Sequence, residues 1–239
     1  MSILEGEKVT KHFGGLAAVH DVGFQISEGE IVGLIGPNGA GKTTLFNLIS
    51  GAFPLTSGVM RFKGENITRM QAHKICKMGV ARTFQAGNLF PKMTVFENVL
   101  LGALFGRFGA MHPSDGRHEA MELLELVGLA DKREVMAKDL TLAAQKRLEM
   151  ARALATKPEL LLLDEVMAGL TPTEVAHSLE LIREIRKGGT TVFLIEHVMK
   201  AIMGVSDRII VLHHGEKIAE GNPDEIAKSK TVINIYLGE

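Results

Sequence analysis

Cysteine occurs once in 239 residues, at Cys76, which excludes an internal disulfide and sets the expected environment as the reducing cytosol. Met1 to Glu7 lacks the apolar core of a secretory signal. No stretch has the uncharged apolar length that spans a bilayer; even Val95 to Phe108 is short and carries Glu97 and Asn98. Excess charge is missing as well. With 27 Lys and Arg against 28 Asp and Glu, the formal charge is −1, so the footprint of a nucleic-acid binder is absent and nucleic acid is not an expected partner. The chain shows no internal repeat and no low-complexity tract. Its length suits one globular domain, or a core with one subdomain.

The chain opens with strand-like segments at Leu4 to Thr10 and Val19 to Ile26, and turn residues bracket a short strand at Val59 to Phe62. From about Asn88 the pattern changes. Val95 to Leu104 reads as a helix, and Ala120, Leu123, Leu124 and Val127 recur at helical spacing. Gly106 to Arg117 holds three glycines and Pro113 and is expected to be a loop. After Gln145 helices and strands alternate: helix Gln145 to Thr156, strand Leu160 to Leu163, helix Thr173 to Lys187, strand Thr191 to Ile195, and strand Arg208 to Leu212 turning at His214-Gly215. Such alternation predicts an α/β fold with a mostly parallel sheet covered by helices. The expected division is a core of 1–87 and 151–239 around a helical subdomain of 88–150, following an N-terminal antiparallel β subdomain.

The most specific motif is Gly36-Pro37-Asn38-Gly39-Ala40-Gly41-Lys42-Thr43-Thr44, between the β-like run Glu30 to Ile35 and the helical Leu45 to Ile49. The spacing is G-x-x-x-x-G-K-[ST]. Its glycines let successive backbone N–H groups converge on phosphate oxygens at a helix N-terminus. Lys42 is placed for the β- and γ-phosphates and Thr43 for Mg²⁺, which makes ATP and Mg²⁺ the expected cofactors. A helix-capping turn would explain neither the Lys-Thr pair nor the register against the strand.

A second motif agrees with the first. Leu160-Leu161-Leu162-Leu163 is an apolar run suited to a strand buried on both faces, and it ends in Asp164-Glu165. Ligands of open α/β sheets sit at strand carboxyl ends, so Asp164 is the candidate to face Mg²⁺ through its water shell. Glu165 is the candidate to orient the water attacking a γ-phosphate. Together the motifs indicate nucleotide hydrolysis.

In their order and spacing these residues resemble the ATP-binding subunit of an ABC transporter, a P-loop NTPase with a RecA-like core, across essentially the whole chain. The resemblance implies further roles. Phe13 would stack on adenine, although a core phenylalanine is an equal reading of that segment alone. Gln85 would approach Mg²⁺ and the attacking water, and His197 would contact the γ-phosphate from a strand end. Thr141 would stand in the signature loop that binds the nucleotide of an opposing subunit. It further implies a second ATP-binding subunit, integral membrane permease subunits, an indirect link to a substrate-binding protein, and a peripheral place on the cytoplasmic face of the inner (plasma) membrane.

Within the family the strings Ala81 to Gln85, Leu89 to Val99, Ile195-Glu196-His197 and the tail from Ile218 to Glu239 are similar to LivG-type branched-chain amino-acid importer ATPases. Lipopolysaccharide-export ATPases share much of the pattern, and soluble ABC ATPases of translation or DNA repair share the core motifs, though commonly with a second cassette or long insertions. The chain also departs from the family. Leu140-Thr141-Leu142-Ala143-Ala144 stands where Leu-Ser-Gly-Gly-Gln is usual, and Thr171 stands where an Asp or Asn is usual. The sequence between Leu104 and Glu119 is shorter and less basic than in the usual importer. Leu89, Phe90 and the apolar residues to Phe105 are expected to be mainly core, with any exposed remainder suited to a membrane subunit.

Overall fold

The computed structural model describes residues 1–83, 89–106 and 112–237. In chain order the elements begin with β1 (Ser2–Phe13), β2 (Leu16–Ser27), β3 (Ile31–Ile35), α1 (Lys42–Ile49), β4 (Ser57–Phe62), β5 (Glu65–Asn66), α2 (Ala72–Met78) and β6 (Val80–Arg82). Then come α3 (Val95–Phe105), α4 (Pro113–Leu126), α5 (Leu142–Leu154), β7 (Leu160–Asp164) and α6 (Pro172–Lys187). The chain ends with β8 (Thr191–Ile195), α7 (Met199–Val205), β9 (Arg208–His213), β10 (Glu216–Gly221), α8 (Pro223–Lys228) and α9 (Lys230–Leu237). Two compact units result: Met1–Ile75 with Thr191–Glu239, and Cys76–Thr190.

The first unit holds a sheet of order β2-β1-β4-β5, antiparallel throughout; burial alternates along Val22–Ser27 of β2, while register shifts break the alternation along β1. A different composition gives a different sheet. Every residue of β3 and β8 is buried, and all but Thr191 at the start of β8 are apolar or glycine; β3 pairs parallel with both β8 and β9. β10 returns antiparallel on β9 as a hairpin. Phe46 of α1 meets Phe193 of β8 with ring centroids 5.0 Å apart, and Phe24 meets the same ring at 6.3 Å. A Cβ on Gly33 of β3 would come within 2.8 Å of Ile202 and Ser206, so a larger residue there would push α7 away. The strand that feeds the phosphate loop is therefore held by helix and sheet neighbours.

In the second unit β6 and β7 pair parallel, and α3, α4 and α5 pack together. A Cβ on Gly102 of α3 would lie 2.6 Å from the Arg152 carbonyl, which shows how closely α3 and α5 approach. Asn98 is fully buried and ties the start of α3 to its preceding loop, accepting from the Phe90 N–H and donating to the carbonyls of Phe90 and Thr94. Two expectations need correction here. Gly106 to Arg117 is not loop throughout, because α4 begins at Pro113: His112 caps it, proline occupies the first turn and Asp115 follows. The helix expected from Gln145 begins at Leu142, because Thr141 supplies its cap.

Candidate functional site

The Gly36–Gly41 loop joins buried β3 to α1, and sterics set its composition. A Cβ on Gly36 would sit 2.1 Å from the Leu212 carbonyl oxygen. Gly41, the N-cap of α1, has φ +100° and ψ +2°, and a Cβ there would sit 2.4 Å from the Ala18 oxygen. The hairpin tip between β9 and β10 supports this loop: the Gly215 N–H donates to the Ala40 carbonyl at 3.1 Å. His213 ends β9, and His214-Gly215 is the turn against the loop, both residues with left-handed backbone.

Lys42 is buried at 6% exposure, and its Nζ donates to the carbonyls of Gly36 at 2.7 Å and Pro37 at 3.0 Å. The ammonium is held over the start of its own loop. Helix α1 has no side-chain cap hydrogen bond and no acid in its first turn, which leaves its positive dipole end for a ligand. Asn38, Gly39 and Thr43 are exposed, Pro37 and Thr44 half-buried, and Ala40 buried.

In the same unit Phe13 ends β1 with 45% of its surface exposed, so the core reading of this residue fails. Phe53 packs edge-on against it at 5.6 Å, and Lys11 Nζ lies 5.0 Å from its ring centroid. His197 is the second residue beyond β8 and is exposed, next to the buried Glu196 that directly follows the strand.

The second unit carries the acidic motif. Asp164 is the last residue of β7 and has no exposed surface. Its Oδ2 accepts from Arg82 Nη2 at 2.8 Å, and its backbone N–H donates to Thr83 Oγ1 at 3.1 Å. Oδ1 is buried and has no hydrogen-bond partner among the described residues. Burial pushes the Asp164 carboxyl up; the Arg82 hydrogen bond and charge pull it down, Glu165 adds to the rise and Lys146 of α5 opposes it. Glu165 is 8% exposed and adopts a left-handed backbone with φ +51°, an uncommon conformation for a non-glycine residue and one that clusters at functional sites. Gln85 lies outside the described residues.

The signature position is a self-capped helix start. Thr141 Oγ1 accepts the Ala144 N–H at 3.4 Å, Ala143 and Ala144 are buried, and Leu142 is 48% exposed. A Cβ on Gly169 would meet Leu142 at 3.0 Å, so the leucine side chain lies against the loop that precedes α6. Thr171 has a structural reason: it forms a capping box with Glu174, which donates its N–H to Thr171 Oγ1 and accepts the Thr171 N–H at 2.8 Å.

Sequence reasoning did not single out Arg82 or Thr83. The available signal was an arginine closing the apolar strand Val80-Ala81-Arg82, since an arginine is rarely buried without a partner.

Residues 19–168 match the family described as ABC transporter, and residues 216–239 match one described as Branched-chain amino acid ATP-binding cassette transporter. The chain is 43% identical to the high-affinity branched-chain amino acid transport ATP-binding protein LivG of Salmonella typhimurium, covering 95% of this chain and 94% of that protein. It is 42% identical to BraF of Pseudomonas aeruginosa, covering 99% and 98%. The lipopolysaccharide export system ATP-binding protein LptB of Haemophilus influenzae is 33% identical, covering 100% and 98%. Among solved structures, the ADP conformation of an ATP-binding cassette of an ABC transporter superposes with TM-score 0.90 at 29% identity, covering 100% of both chains. A dimeric cassette bound to ADP and phosphate superposes with TM-score 0.84 at 28% identity, covering 92% and 98%. Among the described residues no helix is long and apolar enough to cross a membrane. This chain therefore belongs to the ATP-binding subunits of ABC transporters, in the LivG and BraF group: an ATPase with a P-loop cassette fold, of a class that binds ATP or ADP and dimerises.

Proposed function

We propose that this subunit binds and hydrolyses ATP to power the import of branched-chain or other apolar amino acids, working with a second ATP-binding subunit and membrane permeases at the cytoplasmic face of the membrane. The observation that carries the ATPase part is the uncapped start of α1, with buried Lys42 held over the loop amides. The transport part is supported by 43% identity to LivG and by the match of residues 216–239. The lipopolysaccharide-export reading has less support, at 33% identity.

In this reading the amides from Gly36 to Thr44, with Lys42, cradle the phosphates, and Lys42 gives up its two carbonyl partners for phosphate oxygens. Phe13 offers its exposed ring to the adenine face. Glu165 holds and polarises the attacking water, while His197 and Gln85 stand by the γ-phosphate. Thr43 and Asp164 each offer the oxygen donor that magnesium takes: the Thr43 side chain carries a hydroxyl on an exposed residue, and Asp164 Oδ1 is buried without a partner among the described residues. Bound there, the ion would neutralise charge on the β- and γ-phosphates. Thr43 would hold it directly, with Asp164 and Gln85 acting on its water shell. ATP favours the closed pair because it contacts both subunits only in that state. Residues 88–150 would be the helical subdomain, and the exposed Phe90 and Phe105 would suit a membrane subunit.

Leu142 and Ala143 add side chains where close backbone approach to phosphate is needed, while the Thr141 hydroxyl is engaged with its own helix. A composite site built on this segment would turn over slowly in a pair with a different ATPase subunit. Equal hydrolysis rates at both sites of the reconstituted pair would refute that. The transport reading is tested by co-purification from detergent extract and uptake in vesicles: an integral membrane subunit should accompany the chain, and ATP should drive accumulation of leucine, isoleucine or valine. Failure of all three to accumulate would remove the proposed substrate class.

A further inference from the structure

The parallel ladder of β6 on β7 runs from Val80 opposite Leu160 to Arg82 opposite Leu162. Beyond Arg82 the Thr83 N–H still donates to the Leu162 carbonyl at 2.9 Å, and then side chains take over. Thr83 Oγ1 receives the Asp164 N–H at 3.1 Å, and Arg82 Nη2 donates to Asp164 Oδ2 at 2.8 Å. Both members of the ion pair are buried, with side-chain exposures of 4% and 0%. Asp164 is thus gripped at its backbone and at one carboxylate oxygen.

The consequence is geometric. A carboxylate held at Oδ2 cannot rotate about its χ2 torsion without losing a charge-assisted hydrogen bond. Oδ1, buried and partnerless among the described residues, is left as the oxygen available to a cation or its water.

We propose that Arg82 is a positioning residue for the metal-bearing acid: it takes Oδ2, fixes the carboxylate, and so presents Oδ1 to magnesium's water shell, with Thr83 fixing the backbone beneath it. This rests on the reading of Asp164 as the metal-facing acid.

The test uses the full chain with Arg82→Met, Arg82→Lys and Asp164→Asn, and reads binding of a fluorescent ATP analogue in EDTA and across a Mg²⁺ titration. For Arg82→Met the Mg²⁺ midpoint should rise by about 10-fold or more, as for loss of a partner that orients a metal ligand, while affinity in EDTA changes by less than about twofold. Arg82→Lys keeps the charge and a donor and should recover part of the shift. If Arg82→Met does not fold, the Arg82→Lys midpoint decides alone: a rise supports the inference and a parental value overturns it. Parental midpoints in folded Arg82 variants, alongside a raised midpoint in Asp164→Asn, would overturn the positioning role only. A parental midpoint in Asp164→Asn would overturn the metal reading and the inference with it.

Discussion

Helix α1 starts on Gly41 without a side-chain cap, whereas α5 starts on Thr141, whose hydroxyl takes the Ala144 N–H. Helices α3, α6 and α8 go further and carry full capping boxes, Thr94 with Glu97, Thr171 with Glu174 and Asn222 with Glu225. A cap contributes about 1 kcal/mol to a helix start. Helix α7, starting on Val198, also lacks a side-chain cap, but at α1 the uncapped start coincides with an ammonium and two sterically required glycines. In the proposed function a helix start serves its own stability or a ligand, and the two uses fall on different helices. The same contrast applies to Thr141-Leu142-Ala143-Ala144, which is a sound helix start and, in the proposed reading, a poor phosphate cradle.

The largest expected effect separates chemistry from binding. Glu165→Gln should lower ATP turnover by roughly 100- to 10,000-fold, the usual range for a positioned acid or base, with ATP still bound and the closed pair accumulating. Steady-state ATPase near the parental rate would remove the assigned role. Lys42→Ala comes next, because a charge-assisted hydrogen bond is worth about 1.5–3 kcal/mol, so ATP affinity should fall by roughly 10- to 150-fold. Phe13→Ala should cost about 1 kcal/mol of nucleotide affinity and reduce discrimination among bases very little, since every base offers a π-face; competition with GTP measures this. The smallest effect probes the other side of the comparison. Thr141→Ala should lower stability by about 1 kcal/mol, seen as a fall of about 2–4 °C in melting temperature. A melting temperature equal to the parent would show that the cap is inert.

The Gly36–Gly41 loop was readable because its backbone demands fixed spacing: Gly36 and Gly41 allow no Cβ, and Lys42 reaches back to the Gly36 carbonyl. The strand end at Asp164 was readable from its apolar run, whereas the adjacent acids alone would read as a solvated strand end and took their weight from the Gly36–Thr44 motif. Strands β7 and β8 were legible for the same reason, being buried along their whole length. Arg82 was not legible, since its partner is 82 positions away and only the parallel pairing of β6 with β7 brings them together. The early start of α4 at Pro113 was misread because Gly109 and Gly116 outweighed a proline that starts helices as readily as it stops them. The support of Ala40 by Gly215 likewise depends on a long-range hairpin.

Equilibrium titration of the parent and of Lys42→Ala with ATP, ADP and AMP tests most directly whether the uncapped start of α1 is a polyphosphate site. Affinity should fall steeply from ATP and ADP to AMP in the parent, and that gradient should largely disappear in Lys42→Ala. Equal affinities for the three nucleotides in the parent, or an unchanged gradient without Lys42, would contradict the assignment.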